Sequence, residues 1–107
     1  MNIPFHKPEI SSDEINIVIK SLKSGWLTMG PKTLEFENKF KKYIDIKYAI
    51  STSSATAALH LSLKSLGISA DDEVIIPTNT FVATAEAVAY LRAKPVLCDI
   101  DYNSHHT

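Results

Sequence analysis

From Tyr48 onward the chain alternates between two kinds of apolar run, and this constrains the fold more than any other feature. Tyr48 to Thr52 is a short β-type run. Ser54 to Leu66 is rich in Ala and Leu and ends at Gly67. Glu73 to Ile76 reads as a second strand, stopped by Pro77. Thr80 to Leu91 reads as a helix and Pro95 to Ile100 as a third strand. Strands separated by helix-length segments cannot be joined by tight hairpins, so they pair in parallel through helical crossovers. The expected class is α/β, a β-α-β-α-β parallel sheet with right-handed crossovers. Three short strands would leave an open sheet edge and apolar helix faces without partners, so the isolated chain is expected to oligomerise or aggregate.

Two helices are expected in front of this unit. Ser11-Ser12-Asp13-Glu14 has the form of a capping box, in which Ser11 accepts from the backbone and Glu14 reaches back to it. Ile15, Val18, Ile19 and Leu22 follow at i, i+3, i+4 and i+7 and make one apolar face. Gly25 stands where a left-handed residue ends a helix. Pro31 suits the first position of a second helix. Phe36, Phe40, Tyr43 and Ile44 line one side of it, and Glu35, Glu37, Lys39, Lys41 and Lys42 make a mostly solvated opposite face.

The 107 residues suffice for one small domain and its core. Eleven basic and twelve acidic side chains give a net charge of −1, with Arg92 the only arginine, which argues against a nucleic-acid-binding surface. The single cysteine, Cys98, permits no internal disulfide and suits a reducing compartment. The first residues lack the basic and apolar regions of a signal peptide, and Thr80 to Leu91 is too short to span a bilayer. A cytoplasmic protein without a membrane or nucleic-acid partner is expected.

Ligands of an open parallel sheet bind beyond the carboxyl ends of its strands, where three segments fall. Ser51 to Ala58 leads into a helix. Its small residues admit a ligand close to the backbone, its first-turn N–H groups have no helical partner, and Ser53, Ser54 and Thr56 add hydroxyls. A phosphate group suits such a place; helix capping by Ser or Thr explains the same residues without a ligand. Pro77 to Phe81 sets an aromatic ring at the start of the next helix. Phe81 could stack on a planar ring or be a core phenylalanine. Asp99 and Asp101 share one face of a strand end, but two carboxylates alone do not make a metal site, and a solvated strand end is the plainer reading. His60 reads as a packed helix residue, Cys98 as a small buried hydrophobe, and His105 and His106 as part of a polar tail.

Several motifs occur together and in order: Ser24-Gly25-Trp26-Leu27-Thr28-Met29-Gly30-Pro31, Ser53-Ser54-Ala55-Thr56-Ala57-Ala58-Leu59-His60-Leu61, Gly67-Ile68 with Asp72-Glu73-Val74-Ile75-Ile76-Pro77, Thr80-Phe81-Val82-Ala83-Thr84-Ala85, and Lys94-Pro95-Val96 with Asp99-Ile100-Asp101. Over Ile3 to Asp101 the chain resembles the start of the DegT/DnrJ/EryC1/StrS family of sugar aminotransferases. The resemblance implies an aspartate-aminotransferase-like fold that uses pyridoxal 5'-phosphate. It implies a homodimer that moves an amino group, commonly from glutamate, to a keto group on a nucleotide-linked sugar. Residues 1–47 would then be a helical arm, and 48–107 the incomplete start of the cofactor-binding domain. By the same resemblance, Ser54 and the backbone around Ala55 and Thr56 would hold the cofactor phosphate, Phe81 would stack on its ring, and Thr28 would edge the substrate site.

The chain departs from the family at Ala55, where Gly is frequent, at Glu86, where Asn is common, and from Tyr102 to Thr107. None of its lysines sits in the family's Schiff-base lysine motif, and Lys64 and Lys94 match non-catalytic positions. The aspartate that binds the ring nitrogen is also missing. The expectation is a truncated, catalytically incomplete form that binds without turnover. The alternatives are a phosphate-ligand-binding or subunit-pairing module, or a piece of one of the family's sugar dehydratases.

Overall fold

A computed structural model describes residues 3–105. His106, in the polar tail, lies outside them. The chain divides into two compact units, one running to Ile50 and the other starting at Ser51.

The first unit contains α1 (Ser12–Lys23) and α2 (Pro31–Tyr43). α1 starts at the expected capping box. The Asp13 N–H donates to Ser11 Oγ at 3.2 Å, and Glu14 Oε2 accepts from the Ser11 N–H at 2.7 Å and from its hydroxyl. Those two donors hold the Glu14 carboxyl below its ordinary range. Gly25 follows α1 with φ 74°, a conformation that costs glycine nothing. α2 opens on Pro31 as expected, and the Phe36 and Phe40 rings stack one turn apart at 5.9 Å. The apolar stripe of α1, including Ile15 and Val18, is exposed.

The second unit is α3 (Ala55–Ser65), β1 (Glu73–Pro77), α4 (Ala83–Ala89) and β2 (Lys94–Cys98). β1 and β2 pair in parallel, with Glu73 opposite Lys94 and Pro77 opposite Cys98, so the α/β class holds. The register brings Lys94 Nζ to 2.6 Å from Glu73 Oε1. Ile76, Val88 and Ala93 form the buried core, with Leu63, Ile68, Val74 and Ala85 packed on it. Ala83 and Ala87 are also buried, and α3 packs against α4.

The Tyr48 to Thr52 run is not a strand: among the described residues the sheet has two strands, not three. A β-type composition becomes a strand only where a neighbour takes its N–H and C=O groups. Here the Thr52 hydroxyl donates to Ser54 O at 2.9 Å, and the chain bends at Ser53 before the extended Ser54 caps α3.

α4 is shorter than the expected Thr80 to Leu91 helix because tighter turns close both ends. Thr84 N–H bonds Phe81 O and Ala85 N–H bonds Val82 O. Leu91 N–H bonds Val88 O and Arg92 N–H bonds Ala89 O. Arg92 then turns left-handed at φ 61°. α3 ends in a complete Schellman motif, with Ile68 N–H on Leu63 O, Gly67 N–H on Lys64 O, and Gly67 at φ 85°.

Candidate functional site

The connectivity fixes where ligand-binding groups gather in the second unit. α4 leaves the carboxyl end of β1, and α3 hands over to the amino end of β1 through residues 66–72. Both helices therefore point their amino ends toward the carboxyl edge of the parallel pair; the Thr84, Ala85 and Glu86 N–H groups of α4 are spent on Phe81 O and Val82 O, which leaves α3 as the source of free donors.

Ser54 is the N-cap of α3. Its Oγ accepts from the Ala57 N–H at 3.1 Å, and its carbonyl accepts from the Ala58 N–H at 3.0 Å. The N–H groups of Ala55 and Thr56, at the first two helical positions, have no partner within the helix. Ser54 and Ala55 are exposed and Thr56 is half-buried. Capping therefore does take place, and it leaves two donors free.

Phe81 precedes α4 by two residues and is 77% exposed. It is not a core residue; an exposed ring at this edge is available for stacking. Beside it, the Thr80 and Thr84 hydroxyls bond each other at 2.8 Å.

Thr28 lies in the first unit. With Lys20, Ser21, Ser24, Trp26, Pro31 and Lys32 it lines a cavity of about 270 Å3. Sequence reasoning assigned Trp26 no role beyond its motif. The structure pins it: Nε1–H donates to Met29 O at 3.0 Å.

The remaining candidates are locally committed. Asp99 Oδ1 accepts from the Ile100 N–H at 2.9 Å and from the Thr78 hydroxyl at 3.4 Å. Asp101 Oδ1 accepts from Ser104 and Asn103 N–H groups, which lower its pKa, the Ser104 bond most. Among the described residues no three His, Cys, Asp or Glu side chains are grouped to hold a metal ion. His60 packs edge-on against Tyr90 at 5.6 Å. Cys98 is half-buried in β2. No helix among the described residues is long and apolar enough to cross a membrane.

A parallel α/β unit with free helix donors and an exposed ring near its carboxyl edge has room for a phosphorylated planar ligand. Comparison with known proteins gives the family. The DegT/DnrJ/EryC1/StrS aminotransferase family matches residues 8–107, and the chain belongs to that family. An uncharacterised protein of Methanocaldococcus jannaschii, MJ1066, is 52% identical over 104 residues, covering 97% of this chain and 27% of that protein. Spr1654 of Streptococcus pneumoniae, assigned as a sugar aminotransferase and solved in its PLP-form, superposes with a TM-score of 0.92 at 40% identity. The match covers 98% of this chain and 27% of that one. NtdA of Bacillus subtilis, solved with bound cofactor PMP, gives 0.79 at 38% identity over 86% of this chain and 22% of its own. The chain thus spans about a quarter of the length of the relatives it matches.

Proposed function

We propose that this chain carries the amino-terminal part of a pyridoxal-phosphate-dependent aminotransferase that moves an amino group, from glutamate, to a keto group on a nucleotide-linked sugar. In this reading the working unit is a cytoplasmic homodimer. Residues 1–47 form an arm and 48–107 the first part of the cofactor-binding domain. The observation that carries the reading is the start of α3, where the Ala55 and Thr56 N–H groups remain free after Ser54 has satisfied Ala57 and Ala58.

When bound, pyridoxal phosphate supplies an electron sink. The residues of this chain bind and orient it. Ala55 and Thr56 donate backbone N–H groups to the phosphate, and the helix dipole favours the anion there. The hydroxyls of Ser54 and Thr56 add donors, and the exposed Phe81 ring stacks on the pyridine. Thr28 edges the sugar site. None of this chain's lysines occupies the family's Schiff-base position, so these residues hold and orient, and the covalent and proton-transfer steps belong to residues beyond this set.

Calorimetric titration with pyridoxamine 5'-phosphate tests the cradle, since that compound has no aldehyde to react with surface lysines. Binding is expected, with unphosphorylated pyridoxamine roughly tenfold weaker or worse and inorganic phosphate competing. Equal affinity for the two pyridoxamines, or no binding of either, sinks the reading.

A further inference from the structure

The cavity at the end of α1 has a fixed aromatic wall. Trp26 is pinned by its Nε1–H bond to Met29 O at 3.0 Å and by its backbone N–H on Ser24 Oγ at 3.2 Å. The indole packs over Gly30, occupying the space a side chain there would need. It is nevertheless 59% exposed, so it offers a stacking surface already held in place.

Most polar groups around this wall are spent. The Ser21 hydroxyl donates to Ile17 O at 3.0 Å and the Ser24 hydroxyl to Ser21 O at 2.7 Å. Lys32 is paired with Glu35 at 2.6 Å. Lys20 and Thr28 have no hydrogen-bond or ion-pair partner for their side chains among the described residues. The cavity, about 270 Å3, is thus apolar-walled with one uncommitted positive charge and one uncommitted hydroxyl. Pockets of this kind, apolar with a few placed polar groups, are what small ligands occupy.

We propose that this cavity binds a planar aromatic anion, with the ring on the Trp26 indole, the carboxylate or phosphate toward Lys20, and the Thr28 hydroxyl as a second donor. A cation is disfavoured by the two lysines at the wall. A purely apolar ligand would leave the Lys20 charge unused. All the walls come from residues 20–32, and none of them belongs to the cofactor cradle at α3. Thr28 is shared with the proposed sugar site.

Trp26 is the only tryptophan, so its emission reports this cavity alone. The chain is titrated with benzoate, phenyl phosphate, benzamide and acetate. Benzoate and phenyl phosphate are expected to change the emission saturably, and the tighter of the two identifies the anion. Benzamide, which has the ring without the charge, is expected to need roughly tenfold more ligand, and acetate to have no effect. Lys20→Gln should abolish the preference for benzoate over benzamide, and Lys20→Arg should keep it. A non-saturating response to benzoate, benzamide binding as well as benzoate, or a preference that survives Lys20→Gln overturns the proposal. Because Trp26 emission reports this cavity alone, pyridoxamine 5'-phosphate heat that persists without an emission change belongs to the α3 cradle, so failure here and failure of the cofactor reading are distinguishable.

Discussion

Trp26 and Gly30 interlock: a Cβ on residue 30 would stand 1.9 Å from the indole Nε1 and 2.4 Å from its Cδ1. Gly30 itself has an extended backbone, φ −171°, which any residue adopts. Glycine is therefore required there for space and not for conformation. The close approach lets the indole N–H reach Met29 O and closes the turn between α1 and α2 on which Thr28 is carried.

Gly30→Ala should therefore expel the indole. The expected outcome is a red-shifted Trp26 emission, easier quenching by iodide, and a stability loss of about 1–3 kcal/mol, as for other small-to-large changes at packed sites. An unchanged emission spectrum would show that the ring does not lie over Gly30.

Two left-handed positions make opposite predictions. Arg92 closes α4 at φ 61°, and Gly67 closes α3 at φ 85°, where an added Cβ would meet nothing within 4 Å. Arg92→Gly should stabilise the second unit by about 1 kcal/mol, by removing the left-handed penalty of an L side chain. Gly67→Ala should destabilise it by about the same amount for the same reason. Urea unfolding of the two variants checks the pair; shifts of the same sign would contradict the backbone account.

Local chemistry was legible in the sequence, and tertiary chemistry was not. Ser11, Glu14, Gly25 and Pro31 act through neighbours within four residues, so their motifs carried the starts of α1 and α2 and the turn after α1. The strand status of Tyr48 to Thr52 depends on a partner elsewhere, and composition holds no information about that partner. Arg92 gave no sign of its positive φ, because the tight turn ending α4 sets it. Phe81 is the instructive case at the site. Its apolar character fitted both a core residue and a stacking ring, and its exposure excludes the core reading. Ser54 fitted both a cap and a phosphate site; the structure shows the cap made with donors to spare.

Glu35 lies between Lys32 and Lys39, at 2.6 and 2.7 Å. Hydrogen bonds from Lys32 and then Lys39 lower its pKa from 4.5 to about 2. A carboxyl lowered on folding contributes stability that is present above its unfolded value of 4.5 and is lost as pH falls toward 2. Glu35 is half-buried but both lysines are exposed, so salt should screen the pairing. Carboxyl NMR titration should place the Glu35 midpoint near 2 at low salt, moving toward 4.5 in Lys32→Gln/Lys39→Gln. An ordinary midpoint in the unsubstituted chain would remove the pairing.

On the sheet, Ile75 is 72% exposed and Leu97 68%, while Ile76 is 4% exposed. Two short strands with such surface invite pairing with another chain. The chain alone is expected to elute as an oligomer, and Ile75→Lys with Leu97→Lys should shift it toward monomer while leaving helix content unchanged. A monomer before substitution would refute this.

The cofactor cradle predicts separable effects at two residues. Phe81 is exposed, so Phe81→Ala should leave the fold intact and remove only the stacking surface. Pyridoxamine 5'-phosphate affinity should fall roughly fivefold, the worth of about 1 kcal/mol of aromatic contact. Inorganic phosphate, which has no ring, should bind Phe81→Ala as well as the parent. Thr56→Val keeps the shape of a half-buried side chain and the free backbone N–H, and deletes one hydroxyl. It should weaken both pyridoxamine 5'-phosphate and inorganic phosphate, by a few-fold for about 1 kcal/mol of lost hydrogen bond. This pattern separates ring from phosphate: one variant discriminates between the two ligands and the other does not. If neither variant changes either affinity, the phosphate is held elsewhere and Ser54 and Thr56 serve α3 only as its cap and first turn.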